Sequence, residues 1–191
     1  MEQSDEQLIT EYFQGNAKAM ELIFHRHKKL VFNYALRILA NRADAEDVTA
    51  NVFFAILSKK YLFQSDVKFT TWLYVVIRNA CLDQIRKRKR FVSWWMPKDN
   101  SDDYAEWNIA DENAAAHHQA QAKETVGCVK RAIEKLPTEQ REAIVLREYE
   151  QLSYQQISEV LNCSIENVKI LIFRARQQLR QELTSFIEEG Y

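Results

Sequence analysis

Two groups of side chains in this 191-residue sequence have the types and spacing needed to handle nucleic acid. Residues 78–90 hold six cations against one acid, a net charge of +5, and Arg86, Lys87, Arg88, Lys89 and Arg90 form an unbroken run. Such a run neutralises backbone phosphates without regard to sequence. In the second group, apolar Ile165, Val168, Ile172, Ala175 and Leu179 recur at helical steps and mark a core face. Ser164, Glu166, Asn167, Lys169, Ile170, Phe173, Arg174, Arg176 and Gln177 fall outside that face, a mixture able to read base edges and bind phosphate. A shorter amphipathic stretch with Ile157, Val160 and Leu161 precedes them, across a turn at Asn162, Cys163 and Ser164. Ser153 and Ser164 are candidate N-caps, and Asn162 tolerates the left-handed backbone that a tight turn requires. The pattern is that of a helix-turn-helix whose second helix enters the major groove. It also fits an ordinary helical hairpin whose Lys and Arg only solvate the surface.

The remaining candidates point away from catalysis. Asp44, Glu46 and Asp47 cluster in sequence, yet on a helix they diverge around the axis and cannot converge on one ion. His25 with His27, and His117 with His118, have spacings that do not share a helical face. No nucleophile–base pair, phosphate loop or metal-ligand cluster is visible, so the expectation is a protein that is not an enzyme and has no cofactor and no metal.

Gly occurs three times and Pro twice, while helix-forming residues dominate long stretches, so the fold class expected is all-α. A first amphipathic helix surrounds Leu8, Ile9, Tyr12 and Phe13 and ends at Gly15. A longer second helix spaces Met20, Ile23, Phe24, Leu30, Val31, Tyr34, Leu36 and Ile38 broadly enough to pack on two neighbours. After a break at Asn41 and Arg42, Asp44 is the expected cap of a third helix with Val48, Val52, Phe53, Ile56 and Leu57 inward. A loop at 61–68 precedes a fourth helix that runs from near Thr70 into the basic run. Helical spacing resumes at Val126, Val129, Ile133 and Leu136, stops at Pro137 and restarts with Thr138 as expected cap.

Between these halves periodicity is lost and residues 98–112 carry a net charge of −5, which marks an acidic flexible linker. The organisation expected is a four-helix domain at 1–91, a linker at 92–122 and a helix-turn-helix domain at 123–191. The overall charge of −1 averages over this segregation. The N-terminus lacks a basic-then-apolar pattern and no run of about 18 apolar residues occurs, so no membrane insertion and a cytoplasmic location are expected. Cys81, Cys128 and Cys163 are odd in number and lack paired spacing, which suits reduced thiols.

Residues 153–180 resemble the DNA-binding motif of the extracytoplasmic-function (ECF) group of sigma-70 factors: Ser-Tyr-Gln-Gln-Ile-Ser-Glu-Val-Leu, then Asn167-Val168-Lys169, then Phe173-Arg174-Ala175-Arg176. Leu136-Pro137 with Arg141 resembles the entry to that domain. Asp44-Ala45-Glu46-Asp47-Val48 with Val52-Phe53 resembles the family's core-polymerase-binding helix, and Phe69, Thr71-Trp72-Leu73-Tyr74 and Arg78-Asn79 with Asp83 its promoter-melting segment. The sequence departs from the family at Ala50, commonly Gln, at Asn162, often Gly, and at Ile170 and Leu171, where small or basic polar residues are usual.

The resemblance implies a sigma factor that binds core RNA polymerase and directs it to promoter DNA, under control of an anti-sigma factor. It assigns Asp44, Glu46, Asp47 and Asn51 to the coiled coil of the largest catalytic subunit. Tyr61, Phe63, Gln64, Ser65, Asp66, Lys68, Arg78, Asn79 and Arg86 to Arg90 fall to the −10 element. Ser164, Glu166, Asn167, Lys169, Ile170, Phe173, Arg174 and Arg176 fall to the −35 element. The acidic linker would thread polymerase channels as a mimic of phosphate, or serve as a spacer. A helix-turn-helix regulator acting without polymerase is the alternative.

Overall fold

The computed structural model describes residues 3–58, 63, 67–95 and 118–189. They form eight helices and no strand: α1 (Asp5–Phe13), α2 (Ala17–Leu39), α3 (Arg42–Leu57), α4 (Phe69–Trp95), α5 (His118–Glu134), α6 (Thr138–Glu148), α7 (Tyr154–Leu161) and α8 (Ile165–Glu189). They fall into two compact units, Met1–Ala105 and Glu106–Tyr191.

In the first unit α1 opens with a capping box: Ser4 Oγ accepts from the Gln7 N–H at 3.2 Å while Gln7 Oε1 accepts from the Ser4 N–H at 3.0 Å. Gly15, at φ +110°, takes the chain out of the helix along a path that residues with a Cβ avoid. α2 is the hub, packing against α1, α3 and α4. That is one neighbour more than its apolar spacing suggests, and the third is reached because Ala19, His27, Ala35 and Leu39 are also buried. Val48, Val52, Phe53 and Ile56 of α3 and Leu73, Tyr74, Val76, Ile77 and Cys81 of α4 close the core around fully buried Ile23 and Tyr34. Burying each large side chain contributes about 1.5 to 3 kcal/mol.

Two helix starts differ from the sequence-based expectation. Asn41, not Asp44, caps α3, its side chain accepting from the Asp44 N–H at 2.9 Å, and Asp44 is the third residue of the helix. Both are good capping types, and the left-handed Ala40 (φ 52°) decides between them by turning the chain one residue earlier. Pro137, rather than Thr138, occupies the cap position of α6. Its place is stabilised by Arg141, whose guanidinium donates to the carbonyls of Glu134 and Leu136 and so satisfies the end of α5. Because Ala40 carries a Cβ in a region suited to glycine, Ala40→Gly is expected to stabilise the unit by about 1 kcal/mol. Denaturant unfolding followed by circular dichroism measures this, and a lowered midpoint would contradict it.

In the second unit α8 is the hub, packed on α5, α6 and α7. Its Val168, Leu171, Ile172 and Ala175 are buried with Ile133, Leu136, Ala143, Ile144, Leu146, Ile157 and Val160. Arg147 ties down the turn between α6 and α7: it donates to the Leu152 carbonyl at 2.8 Å and lies 5.1 Å over the Tyr154 ring. The preceding Gln151 is left-handed at φ 55°.

Candidate nucleic-acid interface

The helix-turn-helix is built by local capping. Ser153 and Gln156 form a second capping box at the start of α7, and Asn162 ends α7 in the left-handed conformation at φ 53°. Ser164 Oγ then accepts from the Asn167 N–H at 3.2 Å and starts α8. The turn points α8 so that one face is core and the other is open. Ser164, Glu166, Asn167, Lys169, Ile170, Phe173, Arg174 and Arg176 are all exposed, while Leu171 joins the core at 8% exposure. Ile170 at 46% exposure and Phe173 at 61% stand about one turn apart and set two apolar side chains among the polar and cationic ones of this face.

The cations of this face differ in readiness. Arg176 Nη2 donates to Glu148 Oε1 of α6 at 2.6 Å, and this hydrogen bond holds the guanidinium in its charged form. Among the described residues neither Lys169 nor Arg174 has an ion-pair partner. Arg174 therefore reaches a ligand without first surrendering a contact.

In the first unit, α3 carries a different surface. Asp47, Ala50, Asn51 and Phe54 recur at steps of three and four and are all exposed. Phe54 at 71% and Leu57 at 50% extend the acidic start into an apolar end. Spacing places Phe53 inward and leaves Phe54 outside the core face, as found, whereas Leu57, expected inward, is half exposed, which corrects that reading. Phe53 meets Phe24 with ring centroids 4.8 Å apart. The acids of α3 are not equivalent. Asp44 Oδ1 accepts from Gln84 Nε2 of α4 at 2.7 Å and Glu46 pairs with Arg42 at 2.9 Å, whereas Asp47 lies open on the stripe.

α4 carries the basic run. Arg86 pairs with Asp83 at 2.9 Å, so it has an intramolecular partner. Lys87, Arg88, Lys89 and Arg90 are exposed and without ion-pair partners among the described residues. Arg78 and Asn79 are half-buried about two to three turns upstream. At the start of α4, the rings of Phe63, Phe69 and Trp72 form a cluster with centroids 5.5 to 6.0 Å apart. Phe69 is fully buried, Phe63 and Trp72 are half-buried, and Lys68 is exposed. Tyr61, Gln64, Ser65 and Asp66 lie outside the described residues, as do most of the acidic linker residues. No group of three metal-ligating side chains occurs among the described residues, and no described helix is long and apolar enough to cross a membrane.

Comparison with known proteins bears on both units. Residues 23–91 match the family model for sigma-70 region 2, and residues 127–179 that for sigma-70 region 4. The chain is 32% identical over 199 residues to the ECF RNA polymerase sigma factor SigE of Mycolicibacterium smegmatis, covering 99% of this chain and 73% of that one. It is 26% identical over 195 residues to the RNA polymerase sigma-H factor of Pseudomonas aeruginosa, covering 99% and 98% of the two chains. Its fold is shared with the sigma factor RpoE in complex with the anti-sigma factor NepR from Bartonella quintana, at a TM-score of 0.67 and 22% identity, covering 88% of this chain and 98% of that chain. With a match to region 2, a match to region 4 and 32% identity to SigE over 99% of its own length, the chain belongs to the ECF group of sigma-70 RNA polymerase sigma factors.

Proposed function

We propose that this sigma factor docks on the coiled coil of the largest subunit of core RNA polymerase through the Asp47–Asn51–Phe54 stripe of α3. It then engages the −35 element of promoter DNA with α8 and opens the −10 element with the start of α4. Synthesis of RNA is the polymerase's chemistry; the sigma factor contributes recognition and is not an enzyme. The observation that carries the reading is the exposed face of α8, where Lys169, Ile170, Phe173 and Arg174 stand together on the second helix of a helix-turn-helix.

Support at the other end of the chain is chemical. Opening a duplex without a motor requires capture of bases as they unstack, and a half-buried ring cluster beside a cationic helix offers stacking surfaces next to phosphate-neutralising charge. The segment 61–68 with Phe63 and Trp72 is the proposed capture site, helped by Arg78 and Asn79, and Lys87 to Arg90 hold the backbone. Residues 1–91 and 123–191 are the two functional domains, with 92–122 as the linker. The protein works in the cytoplasm, where the polymerase is. An anti-sigma factor, of the kind bound to the RpoE neighbour, controls it by covering the polymerase- or DNA-binding surfaces.

Neutralising Lys87, Arg88 and Lys89 together is expected to weaken open-complex formation and to flatten its log–log salt dependence by about 2 to 3, the contribution of three phosphate contacts. Kinetics of opening at several salt concentrations measure the slope, and an unchanged slope would remove these residues from the interface. The polymerase-independent regulator differs in one observable: it binds promoter DNA tightly by itself, whereas the sigma factor does so only with core enzyme.

A further inference from the structure

The two acids in the first turn of α1 both converge on Phe69, the first residue of α4. Glu6 Oε1 accepts a hydrogen bond from the Phe69 backbone N–H at 3.0 Å, across 63 residues of sequence. That N–H is one of the donors a helix start leaves unpaired. The residue before it, Lys68, has no side-chain acceptor with which to cap the helix. The Phe69 N–H and the backbone N–H of Glu6 itself hold the Glu6 carboxyl below the usual range, so it is a carboxylate at neutral pH, beside the positive end of α4.

Asp5 acts by a second route. Its Oδ1 accepts from Arg26 at 2.8 Å and its Oδ2 lies 2.8 Å from Nε2 of His27, which is 7% exposed. The His27 ring packs on the Phe69 ring at 5.1 Å, and Phe69 in turn meets Phe63 and Trp72. α1 is already anchored on α2 by the fully buried Leu8 and Ile9. The polar contacts of Asp5 and Glu6 add a link from α1 to the start of α4. Partly exposed hydrogen bonds of this kind add little to stability, but they fix where α4 begins and how its first rings lie.

We infer that α1 is a positioning element for promoter opening: Glu6 directly, and Asp5 through His27, set the start of α4 and the Phe63–Phe69–Trp72 cluster in the geometry that receives an unstacked base. The inference rests on the reading of that cluster as part of the capture site. Neither acid touches DNA in this scheme; both act through Phe69.

The test uses the full chain with core polymerase and compares Glu6→Ala, Glu6→Gln and Phe63→Ala. Three readouts are taken: affinity for core enzyme, the rate of open-complex formation, and discrimination among single-base changes in the −10 element. Glu6→Ala should leave core affinity within about twofold and slow opening about tenfold, the worth of one charge-assisted hydrogen bond. It should also narrow the discrimination at a −10 base, a change that loss of stability alone does not produce. Glu6→Gln keeps an acceptor oxygen and should restore most of both. Phe63→Ala tests the capture site independently. Discrimination lost in both Phe63→Ala and Glu6→Ala supports the positioning role. Discrimination lost in Phe63→Ala but intact in Glu6→Ala overturns it while leaving the capture site standing. Discrimination intact in both removes the capture site and the positioning role with it.

Discussion

Replacing Asp47 with Lys and Phe54 with Glu is expected to abolish capture of core RNA polymerase, with a loss of about a hundredfold or more in affinity. The two residues stand about two turns apart on the exposed stripe of α3 with Asn51 between them. Phe54, 71% exposed, is a large ring in water on the apolar end of the stripe, and truncating a buried aromatic anchor of an interface costs about 2 kcal/mol or more. Asp47 adds the charge that orients the encounter, and reversing it turns attraction into repulsion. Asp44 is the less informative target: its carboxylate holds Gln84 of α4, so its replacement disturbs the packing of α3 on α4 as well as any partner contact. Glu46 is also engaged, with Arg42. Co-purification with core enzyme, alongside thermal melting of the free variant, measures the effect. Retained binding by a folded double variant would remove α3 from the polymerase interface.

A second large effect is expected on α8. Arg174→Ala should cost about 1 to 3 kcal/mol of promoter affinity if the guanidinium grips a base edge in bidentate fashion, with preference relaxed at one position of the upstream element. A uniform loss across sequences would make Arg174 a phosphate anchor instead. Arg176 should matter less than its charge suggests, because it gives up its 2.6 Å bond to Glu148 before contacting DNA. Ile170 and Phe173 have no hydrogen-bonding groups and favour thymine methyls, so Ile170→Ser should change which upstream sequences are selected without unfolding the unit. Selection from a randomised upstream library measures both, and identical selection by wild type, Ile170→Ser and Phe173→Ala would contradict base reading by this helix.

How much of this was legible in the sequence depends on the range of the interaction. Helix existence and the two faces of α8 follow from short-range periodicity, and Ser153, Asn162 and Ser164 announce their caps because capping is a local hydrogen bond. The choice of Asn41 over Asp44 turned on the backbone of Ala40, which composition does not reveal. His27 is a core residue whose Nε2 lies 2.8 Å from Asp5, a contact that no local pattern marks. The Glu6–Phe69 contact joins residues 63 apart and has no sequence signature at all, and Leu57, whose spacing reads as core, turns outward at the end of α3. Helix α4 also continues through Trp95 and α5 begins at His118, both inside the segment whose composition reads as linker. Local propensity at Ala and Gln suits α5, and length is what makes the rest of each helix worth extending.

As an ECF sigma factor, this chain is expected to confer promoter specificity on core polymerase. Runoff transcription with purified core enzyme, with and without the chain, across a library randomised in both promoter elements tests it most directly. Transcripts that appear only when the chain is added, enriched for defined sequences at both elements and lost with the Asp47→Lys, Phe54→Glu variant, are the predicted result. Transcription that is the same without the chain, or tight sequence-specific DNA binding by the chain without polymerase, would contradict it.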